Sequence, residues 1–170
     1  MQNYTAEEFA TLLTRSFVRY QPRVVYDVDD KGQRILEFIL PNPEFPRFSV
    51  SLQTTEIRKQ VDRCTLWMGQ AQIAASMDPE LAIPAIEEII SDRVVAILRY
   101  KNQDAYDNHH PTDKAQWLYQ LTEDEDDDSA ALEEMKARLS TKPSFGEKLS
   151  GKMVGVFEII RWSGNEIIQR

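Results

Sequence analysis

The stretch from Val24 to Leu40 constrains the fold most, because apolar residues alternate with polar ones on both sides of Asp30-Lys31-Gly32. A period of two places alternate side chains on one face of a β-strand, and glycine readily takes the left-handed conformation that a three-residue hairpin loop requires. The sequence therefore predicts a β-hairpin with one apolar face and one face that is only half polar. The apolar face carries Val24, Tyr26, Val28, Leu36, Phe38 and Leu40.

The residues around this hairpin predict helices as well as strands. We expect an amphipathic helix over residues 5–20, begun by a capping box of Thr5 and Glu8, and a third strand over residues 47–53. From Thr55 the apolar residues recur at four-three spacing, which predicts a helix to about Ser76. Its stripe of small and apolar side chains comprises Ile57, Val61, Cys64, Met68, Ala71 and Ala75.

The second half of the chain continues the same mixture. Residues 94–100 are almost continuously apolar, which is typical of a strand buried on both faces. We also expect a helix over about 84–92, a strand over 115–121, a helix capped by Ser129, and a final hairpin that turns at Gly164-Asn165. The pattern predicts a single α+β domain over residues 1–170, with a mostly antiparallel sheet of about five strands and helices packed on one face.

Negative charge is concentrated in one segment. Residues 101–135 carry eleven acidic residues against two lysines, whereas the rest of the chain is close to neutral within a net charge of -8. We therefore expect an acidic excursion at about 101–135. Direct binding to nucleic acid would need a basic cluster, and the sequence has none.

The single cysteine and the length of the apolar runs indicate the cellular compartment of the protein. Cys64 has no second cysteine with which to form an internal disulfide, and the first residues are acidic where a secretory signal is basic. No apolar run reaches the roughly 18 residues of a membrane span. We expect a cytoplasmic protein that needs neither a membrane nor a cofactor.

Both histidines lie in one polar stretch, residues 101–114, which has three interpretations. Asp107, His109 and Asp113 could ligate a metal, but adjacent histidines point apart on any regular element. His109 and His110 would then need a sharp turn before Pro111. The alternatives are an exposed loop, which we favour, and a pH-sensitive or catalytic histidine.

Two further groups could carry chemistry. The carboxylates of Asp27, Asp29 and Glu37 lie on neighbouring strands of the predicted hairpin, where they could hold a metal or form ordinary charge pairs. Cys64 could act as a nucleophile only if its thiol were exposed, and the predicted helix places it on the apolar stripe. We expect a solvated carboxylate face and a packed cysteine.

These observations favour a binding protein over an enzyme. We expect a non-enzymatic protein of immunity, chaperone or regulatory type that binds another protein, plausibly a basic one, through its acidic segment and nearby aromatics. A second copy of the chain could also pack against the small side chains of residues 57–75. The alternative is a metal-dependent hydrolase or phosphoryl-transfer enzyme that uses the His109/His110 loop or the hairpin carboxylates. The predicted partner-binding residues are Trp117, Tyr119, Glu123, Asp124, Glu125, Asp126, Asp127 and Asp128.

Overall fold

The chain forms two compact units, residues 1–90 (unit 1) and residues 91–170 (unit 2). The computed structural model describes residues 4–112, 116–121, 127–144, 147 and 153–170. Within these residues the strands form two antiparallel sheets, one in each unit, and helices accompany both. The predicted α+β class is confirmed. That residues 1–170 act as one domain stays a prediction.

Unit 1 is built on a five-stranded meander in the order β1-β2-β3-β4-β5. Its strands are β1 (Arg23–Val28), β2 (Arg34–Leu40), β3 (Val50–Ile57), β4 (Gln60–Met68) and β5 (Ala71–Met77). Its helices are α1 (Ala6–Ser16) and α2 (Ala82–Ile90), with single 3₁₀ turns at Val18–Tyr20, Pro46–Phe48 and Pro79–Leu81.

The core of unit 1 lies on one face of this sheet. Register places Phe38 opposite Leu52, and Leu52 opposite Leu66, so that buried residues align across β2, β3 and β4. Helices α1 and α2 both contact β4. The ring of Phe17, which follows α1, contacts Phe38 at 6.2 Å between centroids. The helices therefore cover the apolar side of the sheet, as expected for half-buried strands with a period of two.

The predicted helix over residues 55–76 is wrong. These residues form the end of β3, all of β4 and nearly all of β5, joined by two-residue turns at Arg58-Lys59 and Gly69-Gln70. Arg58 and Lys59 both have positive φ, at 52° and 64°, although neither residue type signals such a turn. The apolar residues fit the helical period of 3.6 and also the strand period of two, since Cys64, Leu66 and Met68 are alternate residues of β4. The helical stripe proposed for a dimer does not exist.

Other boundaries shift by smaller amounts. The first hairpin is confirmed, with Gly32 at φ 77°, and so is the capping box of Thr5 and Glu8. Helix α1 ends at Ser16 rather than at residue 20, β3 begins at Val50 rather than at residue 47, and α2 begins at Ala82 with Pro84 in its first turn.

Unit 2 is a four-stranded sheet in the order β7-β6-β8-β9, with a helix on one face. Its elements are β6 (Val94–Tyr100), α3 (Gln103–Asp107), β7 (Gln116–Gln120), α4 (Asp127–Ser140), β8 (Val156–Arg161) and β9 (Gly164–Gln169). Leu132 and Leu139 of α4 join a core cluster with Val95, Phe157 and neighbouring side chains.

The ends of two elements in unit 2 differ from expectation. Ser129 lies inside α4 rather than at its cap, because the helix already begins at Asp127. The last hairpin turns at Trp162-Ser163, since Arg161 pairs with Gly164. Among the described residues, no helix is both long enough and apolar enough to cross a membrane.

Two glycines test how tightly the turns of unit 1 are packed. Both Gly32 and Gly69 have positive φ, so alanine at either position should cost about 1–2 kcal/mol of unfolding free energy. A Cβ on Gly32 would meet nothing within 4 Å, whereas one on Gly69 would lie 2.4 Å from the carbonyl oxygen of Arg47. We expect Gly69→Ala to be destabilised by a further 1–3 kcal/mol or so in denaturant unfolding. Equal losses in the two variants would contradict this packing.

Candidate functional site

In the polar stretch of residues 101–112, the turn after α3 brings His109 back against this helix. Asn102 caps this short helix by accepting the Ala105 N–H at 2.9 Å. The Tyr106 ring packs edge-on against Tyr100 at 5.1 Å between centroids, and the His109 ring lies edge-on to Tyr106 at 6.5 Å. His109 has φ 56°, which supplies the sharp turn that the sequence required before Pro111. Side-chain packing and a tight turn therefore order this segment.

The same geometry does not assemble a metal site from the described residues. His109 and His110 are both exposed, and the Asp107 carboxylate accepts a hydrogen bond from Gln103 Nε2 at 2.8 Å. No group of three or more histidine, cysteine, aspartate or glutamate side chains in the described part of the chain is arranged to hold a metal ion. Asp113, the third predicted ligand, lies outside the described residues.

The predicted binding aromatics lie on β7, towards the core of unit 2. Tyr119 is buried and belongs to the core cluster, while Trp117 is half-buried and contacts Phe157 at 6.2 Å between ring centroids. Burial raises the pKa of the Tyr119 hydroxyl, and the charges of Asp128 and Glu134 raise it further. Between these two residues Leu118 remains 41% exposed. On this strand, solvent therefore reaches an aliphatic side chain more than the aromatic ones.

The acidic run, Glu123 to Asp128, begins three residues after the end of β7 at Gln120. Glu123 to Asp126 lie outside the described residues, and Asp127 is the first residue of α4. Asp128 Oδ2 accepts the backbone N–H of Gln120 at 2.9 Å, and the Leu121 N–H donates to the Arg93 carbonyl at 2.6 Å. Gln120, which precedes the run, is thus bonded to Asp128, the last residue of the run. Asp128 has a structural role in addition to its charge.

The hairpin carboxylates and Cys64 have structural partners in unit 1. Asp29 Oδ1 accepts the N–H groups of Lys31 and Gln33, at 2.9 and 2.7 Å, which stabilises the hairpin loop. Asp27 is exposed and accepts the N–H of Val28 at 2.8 Å. Cys64 is fully buried, and burial raises the pKa of its thiol to about 11. Asp29 and Glu37 are half-buried, so the expected solvated carboxylate face is exposed only at Asp27. The expectation of a packed cysteine agrees with the burial of Cys64.

The buried thiol predicts slow chemistry at Cys64. Because the thiolate is the reactive species and Cys64 is both buried and held neutral, a disulfide reagent should react with native protein at least about a hundredfold more slowly than with unfolded protein. The reaction can be followed by absorbance at neutral pH with and without concentrated guanidinium. Rapid stoichiometric reaction of native protein would contradict this burial.

Sequence reasoning missed a buried carboxylate in unit 2. Glu158 is 1% exposed and accepts hydrogen bonds from the Tyr100 hydroxyl at 2.7 Å and from Asn165 Nδ2 at 2.8 Å. Strand alternation places Glu158 between Val156 and Ile160 on one face of β8, which is apolar apart from this residue. The signal was present, because an acidic residue at an apolar alternation position predicts a polar partner.

A second polar cluster joins distant parts of unit 2. Glu147 accepts hydrogen bonds from Arg138 Nη2 at 2.9 Å, from Arg170 Nη2 at 3.0 Å and from the Ser144 N–H at 2.8 Å. The hydrogen bond from the Ser144 N–H lowers the pKa of Glu147 most, and the hydrogen bonds from the two arginines lower it further, to about 2. Arg170 also lines an open cavity of about 510 Å³ with Leu139, Lys142 and Ile167. Glu147 is therefore a carboxylate fixed by its partners, which suits a structural role.

The Glu147 cluster predicts acid sensitivity. Because the folded-state pKa lies below that of an unfolded glutamate, the cluster stabilises the protein above the unfolded pKa. This stabilisation is lost as the pH falls from about 5 to about 2. Near neutral pH, we expect Glu147→Gln to unfold at a lower temperature than wild type. Between about pH 5 and about pH 2, we expect the unfolding temperature of Glu147→Gln to fall less than that of wild type. Glu133→Gln, which changes an exposed carboxylate of α4, is the control in thermal unfolding. Parallel pH profiles for wild type and Glu147→Gln would contradict this role.

Comparison with protein-family models, with curated proteins and with solved structures gives no match.

Proposed function

We propose that this is a non-enzymatic cytoplasmic protein that binds a basic partner protein through its acidic segment, residues 101–135. The observation that carries the proposal is the concentration of eleven acidic residues in this segment of a chain whose remainder is close to neutral. Charge gathered in this way attracts an oppositely charged surface from a distance and speeds the encounter between the two proteins.

The described parts of the segment support an exposed acidic surface. On α4, Leu132 and Leu139 are buried while Glu133 and Glu134 are exposed. Asp104 and Asp107 of α3 are also exposed. Leucine side chains anchor α4, and the Tyr106 ring of α3 packs against Tyr100, while the carboxylates of both helices stay in contact with solvent. The segment can thus offer charge without exposing its core.

Apolar contact would come from a different residue than the sequence suggests. Tyr119 is buried and Trp117 half-buried, so their rings pack against the core of unit 2. Leu118, at 41% exposure on the same strand, is better placed to touch a partner. The proposal therefore combines carboxylates from the segment with an exposed aliphatic side chain of β7.

The test neutralises part of the run without disturbing the fold. Asp128 is left intact because it bonds the Gln120 N–H. The variant changes three residues of the run, and the control changes three exposed carboxylates of unit 1, so that both alter the net charge equally. The variant is Glu123→Gln, Asp124→Asn and Glu125→Gln, and the control is Asp30→Asn, Glu44→Gln and Asp62→Asn.

The measurement starts from proteins that wild type retains from its source cells at low salt, identified by mass spectrometry. Affinity for a purified retained protein is then measured at low and high salt. If each exposed charge contributes roughly 0.5 kcal/mol, the run variant should bind about tenfold more weakly at low salt and lose salt dependence. The control should bind like wild type. A run variant that binds as tightly as wild type would remove the proposal.

A further inference from the structure

Strand β1 is an open edge of the sheet in unit 1. It pairs with β2 on one side, and no described residue pairs with its other side. Three of its apolar side chains are exposed, Val25 at 46%, Tyr26 at 41% and Val28 at 61%. An exposed, regular and partly apolar edge strand is a template for pairing with another strand.

Another edge strand shows how such pairing is usually prevented. Strand β5, at the opposite edge of the same sheet, pairs with β4 through two register shifts, and Ser76 within it has φ 56°. Bulges and irregular backbone of this kind block the addition of a further strand. Strand β1 has no such irregularity, since its six residues pair with β2 in unbroken register.

The free backbone groups of β1 can be identified from its register. The Asp29 N–H donates to the Gln33 carbonyl at 2.9 Å, and the pairing continues without a shift through β1. Because hydrogen-bonded and non-bonded pairs alternate in an antiparallel ladder, residues 23, 25 and 27 direct their backbone groups towards β2. Val24 and Tyr26 therefore direct their N–H and carbonyl groups outwards.

We propose that β1 pairs antiparallel with β1 of a second copy of this chain, about a two-fold axis at Val25. In this register Val24 lies opposite Tyr26 of the partner subunit, so that the outward backbone groups bond each other. Arg23 then lies opposite Asp27 of the partner subunit, and the reverse pair repeats across the axis. Opposite charges and an aromatic next to a β-branched residue are both favourable cross-strand pairs.

Charge complementarity selects this register and this occupant. Moving the axis to Tyr26 would set Asp27 opposite the apolar Val25. Arg23 would then lie opposite Asp29, which is beyond the end of β1 and whose Oδ1 already accepts the Lys31 and Gln33 N–H groups. The first five residues of β1, Arg-Val-Val-Tyr-Asp, are thus complementary to themselves when reversed. A two-fold interface needs a surface that matches its own copy, and β1 meets that requirement.

Contacts within unit 1 fix the position of Tyr26 at this edge. The Arg34 guanidinium lies 4.1 Å from the centre of the Tyr26 ring and is itself paired with Glu7 of α1. This fixes Tyr26 on the helix side of the sheet, where Val24 of the partner subunit would meet it. The dimer joins two five-stranded sheets into one continuous sheet. A contact of one short strand per subunit is small, so we expect a dissociation constant of about 1 µM or weaker.

Charge reversal tests the register with the full chain. Sedimentation equilibrium over a range of concentrations should show wild type passing from monomer to dimer. Arg23→Asp, or Asp27→Arg, places like charges opposite each other twice and should weaken dimerisation at least about tenfold. The double variant restores both pairs with reversed sign and should dimerise within about threefold of wild type.

A cross-linking measurement gives the same answer without relying on affinity. In this register the two Val25 residues form a non-bonded pair with Cα atoms about 4.5 Å apart, which a disulfide can span. Val25→Cys should form a disulfide-linked dimer under mild oxidation. Val28→Cys is the control, since Val28 is also exposed on this strand, but the two copies would lie about 20 Å apart and should stay unlinked. The native Cys64 is buried and does not interfere.

Each outcome decides the proposal. Dimerisation that is lost on single reversal and restored in the double variant, with linkage in Val25→Cys but not in Val28→Cys, supports it. A chain that stays monomeric at all concentrations and does not link in Val25→Cys overturns it. A dimer whose dissociation constant is unchanged in both Arg23→Asp and Asp27→Arg also overturns it, because a different surface must then be in contact. Neutralising Glu123 to Glu125 should leave dimerisation intact, so this inference and the proposed function can fail separately.

Discussion

The alignment of one apolar face across β2, β3 and β4 holds unit 1 together. Leu36, Phe38 and Leu40 meet their counterparts on β3 and β4 in register, and α1 and α2 contact strands of this sheet. A slip of one residue would turn every one of these side chains to the other face, so register and core depend on each other. The hairpin loop of Asp29 to Gln33 fixes that register at its start, through two N–H groups that bond the Asp29 carboxylate.

The parts of the fold that could be predicted are those in which one local signal acts alone. The first hairpin has alternation and a glycine at the required position, and α1 has its capping box. Residues 55–76 could not be predicted, because alternation and four-three spacing coincide there and the Arg58-Lys59 turn lacks glycine, asparagine and aspartate. Such a turn forms only because pairing of β3 with β4 compensates the unfavourable backbone, which is a non-local effect.

The candidate site was predictable in its charge but not in its contacts. The acidic segment could be found by counting residues. The burial of Tyr119 depends on the contact between α4 and β7, which no local sequence pattern predicts. Similarly, whether β1 is an edge or a central strand depends on sheet order. Its self-complementary charges are visible in the sequence, yet they acquire meaning only once the open side of β1 is known.

The two proposed contacts differ in physical origin, and salt separates them. Docking through residues 101–135 is an attraction between exposed charges, which screening over about 8 Å at physiological salt weakens. Pairing of β1 rests on backbone hydrogen bonds and apolar contact, with ion pairs at its ends. Because each copy carries a net charge of -8, added salt also reduces the repulsion between two copies. Salt therefore opposes acidic docking strongly, while its two effects on strand pairing partly cancel.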